Sequence, residues 1–152
     1  MKAGVRKALL FAAASALLAG CGGRTPANGP GGGVSVTGAW VRSTPPGATA
    51  GALYLTLHSA AGDRLIGASV PRAIAAAVEM HRTTRDAAGR LGMKRVDWVE
   101  LPPGIAVTFK PGGSHLMLVG LVRPLAAGDT LVVKLRFGRA KELELRAPVR
   151  AD

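Results

Sequence analysis

Turn signals punctuate this chain too densely, from Val34 onward, for any long helix to run through it. Thr44-Pro45-Pro46-Gly47, Ala61-Gly62-Asp63, Ala88-Gly89, Pro102-Pro103-Gly104, Pro111-Gly112-Gly113 and Ala127-Gly128-Asp129 separate short β-prone runs. Proline fixes φ and lacks an N–H, and glycine supplies the positive φ that tight turns need. The runs between them predict strands at 34–41, 52–58, 65–69, 76–81, 92–99, 105–109, 115–120, 130–137 and 143–149. Alternation of apolar and polar residues is clearest in Thr130-Leu-Val-Val-Lys-Leu-Arg-Phe137 and Leu143-Glu-Leu-Arg146, which is the two-residue period of a half-buried strand. Residues 71–77 allow at most one helical turn. The expected fold is all-β, a Greek-key sandwich or barrel of about seven to nine short strands, whose strand order the sequence does not set. Only 4% of residues are aromatic, so the core must be built mainly from Val, Leu, Ile and Ala. Trp40, Tyr54, Trp98, Phe109 and Phe137 are expected as core or inter-sheet fillers.

The first 33 residues have another character. Lys2, Arg6 and Lys7 precede an apolar run over residues 8–19. That run is too short to span a bilayer, which needs about 20 residues, and it fits the apolar region of a secretory signal. Leu18-Ala19-Gly20-Cys21 resembles the bacterial lipoprotein signal. The resemblance implies that residues 1–20 are removed and that Cys21 becomes the lipidated N-terminus, which changes a soluble chain into an anchored one. Residues 21–33, the lipidated cysteine with a Gly- and Pro-rich tether, would then join the membrane to a domain at 34–150. Twelve tether residues reach at most about 40 Å. Their glycines are not a phosphate loop, since no strand precedes them and no Lys-Ser/Thr follows. The expected location is extracytoplasmic, lipid-anchored to a bacterial membrane on its periplasmic side or at the cell surface.

Composition excludes several function classes. The one cysteine rules out an internal disulfide framework and a four-Cys zinc site. The whole chain carries +11. Beyond residue 20 there are 17 Lys and Arg against 9 Asp and Glu, or +8, and 13 of those cations are scattered arginines. No basic run is interleaved with aromatics, so nucleic-acid binding is not expected. The charge reads as solvated surface, with attraction to anionic lipid or an acidic partner as a further consequence. Neither Gly-x-Ser-x-Gly nor His-Glu-x-x-His occurs, and the carboxylates are sparse, so no enzyme is expected.

Histidine and methionine carry the chemistry. Beyond the initiator the chain has three methionines, Met80, Met93 and Met117, and three histidines, His58, His81 and His115. Four of these fall in the pattern His81-x11-Met93-x21-His115-x-Met117. His115 and Met117 differ by two, so a strand projects both to one face. A hairpin turning near residues 86–88 would set His81 opposite Met93. Thioether sulfur is a soft, uncharged donor that favours Cu(I), and imidazole accepts copper in either oxidation state. With no cysteine nearby, a blue-copper centre is excluded, and zinc would prefer cysteine or carboxylate beside histidine. Taken one at a time, each methionine could equally be a core filler.

Ala39-Trp40-Val41-Arg42, Pro45-Pro46-Gly47, the His81 to Met93 hairpin and Pro111-Gly112-Gly113-Ser114-His115-Leu116-Met117 together resemble the periplasmic PCu(A)C-type copper chaperone family. The match runs over roughly residues 34–150 and includes Leu121, Pro124-Leu125 and Gly128-Asp129. The resemblance implies a cupredoxin-like β-sandwich with one solvent-accessible Cu(I) held by His81, Met93, His115 and Met117. It implies delivery of that copper to a respiratory oxidase such as cytochrome c oxidase, or to a thioredoxin-like copper assembly protein; the chain is expected to be a monomer. The family often has Met directly after the first His, where this chain has Arg82. Met80 lies on the other side of His81 and is expected in the core or as a minor substitute ligand, and His58 is expected to be structural. The chain stops at Asp152 without a His/Met-rich tail, so one site per chain is expected. The competing expectation is a lipoprotein on the same sandwich that binds no metal.

Overall fold

The computed structural model describes residues 33–151. The expected signal segment 1–20, the expected lipidation site Cys21 and all of the expected tether but Gly33 lie outside the described residues. Ten strands follow in chain order: β1 (Val34–Arg42), β2 (Ala50–Ser59), β3 (Asp63–Ser69), β4 (Ala75–Arg85), β5 (Leu91–Val96), β6 (Val99–Leu101), β7 (Ala106–Phe109), β8 (His115–Leu121), β9 (Thr130–Phe137) and β10 (Leu143–Arg150). Among the described residues there is no helix, and none long and apolar enough to cross a membrane.

The strands form two layers. One runs β5-β4-β8-β2-β1, with β7 also paired to β2; the other runs β10-β9-β3-β6. A short parallel pairing, Val41 with Val149 and Arg42 with Arg150, joins them. The path stays open at β5 and β6, so the fold is a sandwich rather than a closed barrel. Inward residues of both layers share one core: Leu53, Leu55, Leu57, Leu116 and Leu118 from one, and Leu65, Leu131, Val133, Leu135 and Ala147 from the other. Burying a side chain of the Leu or Val class contributes about 1.5–3 kcal/mol, so this aliphatic interior compensates for the scarcity of rings.

The count of ten exceeds the expected seven to nine because the run at 92–99 is two strands. β5 ends at Val96, Asp97-Trp98 breaks the ladder, and β6 crosses to the other layer to pair with β3. The break also overturns the expectation for Trp98, which is 51% exposed. Its indole N–H donates to Glu100 at 3.1 Å, and the Arg64 guanidinium lies 5.9 Å from its ring. Phe109 and Phe137 are buried in the core as expected, whereas Tyr54, also buried, stands outside the core cluster.

Two local devices shape the layers. Between Thr37 and Trp40 the β1–β2 register slips by one residue, and Gly38 sits there at φ 61°, as the first residue of a glycine bulge does. Val34 and Val36 point inward before the bulge and Val41 after it. Trp40 is thereby turned to the outer face, where its ring lies 4.7 Å from that of Tyr54. In the other layer, Asp63 is buried at the start of β3 and accepts backbone N–H bonds from Arg64 (2.7 Å), Arg139 (3.0 Å) and Ala140 (2.8 Å). The carboxylate thus clasps the β9–β10 turn to β3.

Candidate metal centre

Alternation along β8 sends Leu116 and Leu118 into the core and leaves His115 and Met117 half-buried on the outer face. β4 lies beside β8 in the register His81 to His115 and Glu79 to Met117. These four side chains therefore form a two-by-two block on one surface. The two imidazoles stack, with centroids 5.7 Å apart and planes 24° from parallel. Met80, one residue out of phase, is buried in the core, in line with the first of its two expected roles.

Met93 shares that face but not the expected position. The turn at residues 86–90 is closed by Asp86 N–H to Arg90 O (3.0 Å) and Gly89 N–H to Asp86 O (2.9 Å). The Asp86 carboxylate also accepts the Ala88 and Arg90 N–H groups. This loop sets the register at His81 with Arg95 and Thr83 with Met93, since loop geometry fixes hairpin pairing. Met93 is thus not opposite His81 but diagonal to it, displaced by two residues, which preserves the face. It is 66% exposed on an edge strand.

Tyr54, Thr83, Leu91, Met93, Gly113 and His115 are among the residues that line an open cavity of about 290 Å³. Met93 faces His115 across this cavity. Met117 stands on the other side of the histidine pair: it is level with Glu79, whereas Met93 is level with Thr83, and two strand spacings separate them. On a flat sheet that offset would put their Cα atoms roughly 16 Å apart. The structure therefore gathers His81, His115 and Met117, and leaves Met93 at the rim. His58, opposite Ser35 and Ala106, lies further along β2 and outside the block.

Two neighbours absent from the sequence-based site complete the arrangement. His81 Nε2 is 3.0 Å from Glu79 Oε2, and Arg95 Nη1 donates to Glu79 Oε1 at 3.0 Å. The His81 hydrogen bond, then the Arg95 charge, hold the Glu79 carboxyl below the ordinary carboxylate range against the opposing pull of desolvation. The signal for Glu79 was available, since a residue two before His81 on a strand must share its face. His115 is tied by Nδ1 to the Gly113 carbonyl at 3.1 Å. Among the described residues no three His, Cys, Asp or Glu side chains form a metal-ligand cluster. What this face offers instead is a pair of imidazoles beside thioethers, a donor set suited to a soft, low-charge ion.

The profile of the family described as "Putative lipoprotein LpqE-like" matches residues 34–149. The chain is 31% identical over 138 residues to "Putative lipoprotein Lxx21020" of Leifsonia xyli subsp. xyli (strain CTCB07), covering 88% of this chain and 82% of that protein. Among solved structures it is similar to the copper-bound PCuAC domain from PmoF2, with 32% identity and a TM-score of 0.67 over 80% of this chain and 95% of that one. It is also similar to the solution structure of CuI-DR1885 from Deinococcus radiodurans, with 34% identity and a TM-score of 0.61 over 81% and 80%.

Proposed function

This chain belongs to the LpqE-like lipoprotein family and has the cupredoxin-like sandwich of PCuAC domains, and we propose that it is an extracytoplasmic copper chaperone carrying one Cu(I) on His81, Met93, His115 and Met117. The observation that carries this reading is the outward-facing His81–His115 stack with Met117 beside it and Met93 across a shared cavity. All four donors are uncharged, so the loaded site keeps the single positive charge of Cu(I) and its transfer strands no buried anion. Three donors stand together before metal arrives. The fourth must come in with the edge strand β5, whose exposed position leaves it free of packing on one side. A ligand that joins last is also the natural one to leave first when an acceptor attacks.

The destination that fits the family resemblance is the copper site of a respiratory oxidase such as cytochrome c oxidase, or a thioredoxin-like assembly protein serving it. Lipidation at Cys21 would hold the carrier near such membrane targets. The likeness to copper-bound PCuAC domains supports a carrier rather than an enzyme. The test is a Cu(I) competition titration of the chain from residue 22 onward against a chromophoric chelator, beside the Met93→Leu/Met117→Leu double variant. One tightly bound Cu(I), lost in the variant, is the expected result. A folded wild type that takes up no Cu(I) would leave a lipoprotein sandwich without a metal cargo.

A further inference from the structure

We propose that the two stacked histidines offer copper different ring nitrogens, His81 through Nδ1 and His115 through Nε2, and that Glu79, clamped by Arg95, is the positioning residue that enforces the difference. This inference rests on the copper reading above and adds to it the role of two residues outside the ligand pattern. A neutral imidazole has one N–H and one lone pair, and the hydrogen bond made by one nitrogen decides which is left for a metal. The partner of His115 Nδ1 is a backbone carbonyl, which only accepts. Nδ1 therefore carries the proton, and the lone pair sits on Nε2. The partner of His81 Nε2 is a carboxylate, which when ionised also only accepts. There the proton is on Nε2 and the free lone pair on Nδ1.

Glu79 is well placed for this task. It shares the outer face with His81, one strand repeat away, and lies directly across from Met117. Arg95, the cross-strand partner of His81 on β5, reaches back to the other carboxylate oxygen. The carboxylate is thus held from two sides, one oxygen on the imidazole and one on the guanidinium. A carboxylate behind a ligating histidine fixes its orientation and raises its basicity, and loss of such a partner typically costs about 10–100-fold in metal affinity.

The test is long-range 1H–15N correlation spectroscopy of the imidazoles in the mature chain, metal-free and with one equivalent of Cu(I), above the ordinary imidazole pKa range. Metal-free wild type should show His81 protonated at Nε2 and His115 at Nδ1, and Cu(I) should shift His81 Nδ1 and His115 Nε2. In Glu79→Ala, His81 should become a tautomer mixture while His115 is unchanged, with Cu(I) affinity reduced about 10–100-fold. Glu79→Gln, which keeps an acceptor oxygen, should recover part of that loss. A purely structural role for Glu79 would lower stability and leave the His81 tautomer alone, so an unaltered tautomer in Glu79→Ala overturns the proposal. Copper bound through His81 Nε2 overturns it equally. Should wild type take up no Cu(I), the copper reading falls and the ligand-nitrogen assignment with it, whereas the metal-free spectra still decide whether Glu79 sets the tautomer.

Discussion

Met117 and Met93 have the same side chain and unequal settings. Met117 is half-buried against His115 on the same strand, while Met93 is exposed on an edge. Met117→Leu keeps volume and hydrophobicity nearly constant, so its thermal midpoint should stay close to wild type. Its Cu(I) affinity should fall by more than the roughly 10–100-fold seen when only a ligand's supporting group is lost. Chelator competition on the single variant checks this, and an unchanged affinity removes Met117 from the ligand set. Much of this was legible at the level of single residues. The two-residue spacing of His115 and Met117 fixed their common face, and the odd phase of Met80 fixed its burial. The exposure of Trp98 was not legible, because a tryptophan in a β-prone run looks like core until the strand break beside it is known. The spacing of Glu79 from His81 carries the same information as that of the His115–Met117 pair.

Between elements, register and clasps decide what the residues can do. The alternation read in Thr130–Phe137 and Leu143–Arg146 is matched by burial, with Leu131, Val133, Leu135, Leu143 and Leu145 all inward. The offset of Met93 from His81 came instead from the five-residue turn with its Asp86 hydrogen bonds, and the outward turn of Trp40 came from the bulge at Gly38. Both depend on backbone geometry that side-chain periodicity does not encode. The Asp63 clasp gives a pH-dependent test. Desolvation is the largest single influence on its carboxyl and pulls its pKa up. Three backbone N–H bonds and the Arg139 charge together outweigh it and leave the pKa below its ordinary value. A depressed folded-state pKa contributes stability above the unfolded value, near 3.9, and that contribution is lost as pH falls through the folded value. Asp63→Asn should therefore cost about 1–3 kcal/mol at neutral pH. In urea melts repeated at decreasing pH, the gap between wild type and variant should close below about pH 3.9. A gap that is constant with pH would mean that the carboxylate charge plays no part in the clasp.

At the scale of the molecule, the sandwich acts as a rigid mount. Its core uses the inner faces of both layers and leaves the outer face of β4, β8 and β2 available for the site. Class and approximate strand content could be read from turns and alternation, whereas the strand order could not, since it depends on which non-local pairings close the core. Lipidation at Cys21 makes a prediction of the same scale: Cys21→Ser should move the protein from the detergent phase to the aqueous phase in cell fractionation and leave Cu(I) affinity unchanged. Retention in the detergent phase would assign membrane attachment to something other than that cysteine.

The pairing registers also give the domain a compass. Val34, where the chain enters β1, is level with Ser59 at the end of β2. β2 and β4 both run antiparallel to β8, so the end of β2 and the turn after β4 mark the same pole of the layer. The entry of the leash and the tip of the Met93 hairpin therefore share a pole. On the proposed lipidation at Cys21, the leash would join the domain at the pole that also carries the Met93 hairpin, and acceptors standing in the same membrane would be the neighbours best placed to meet it.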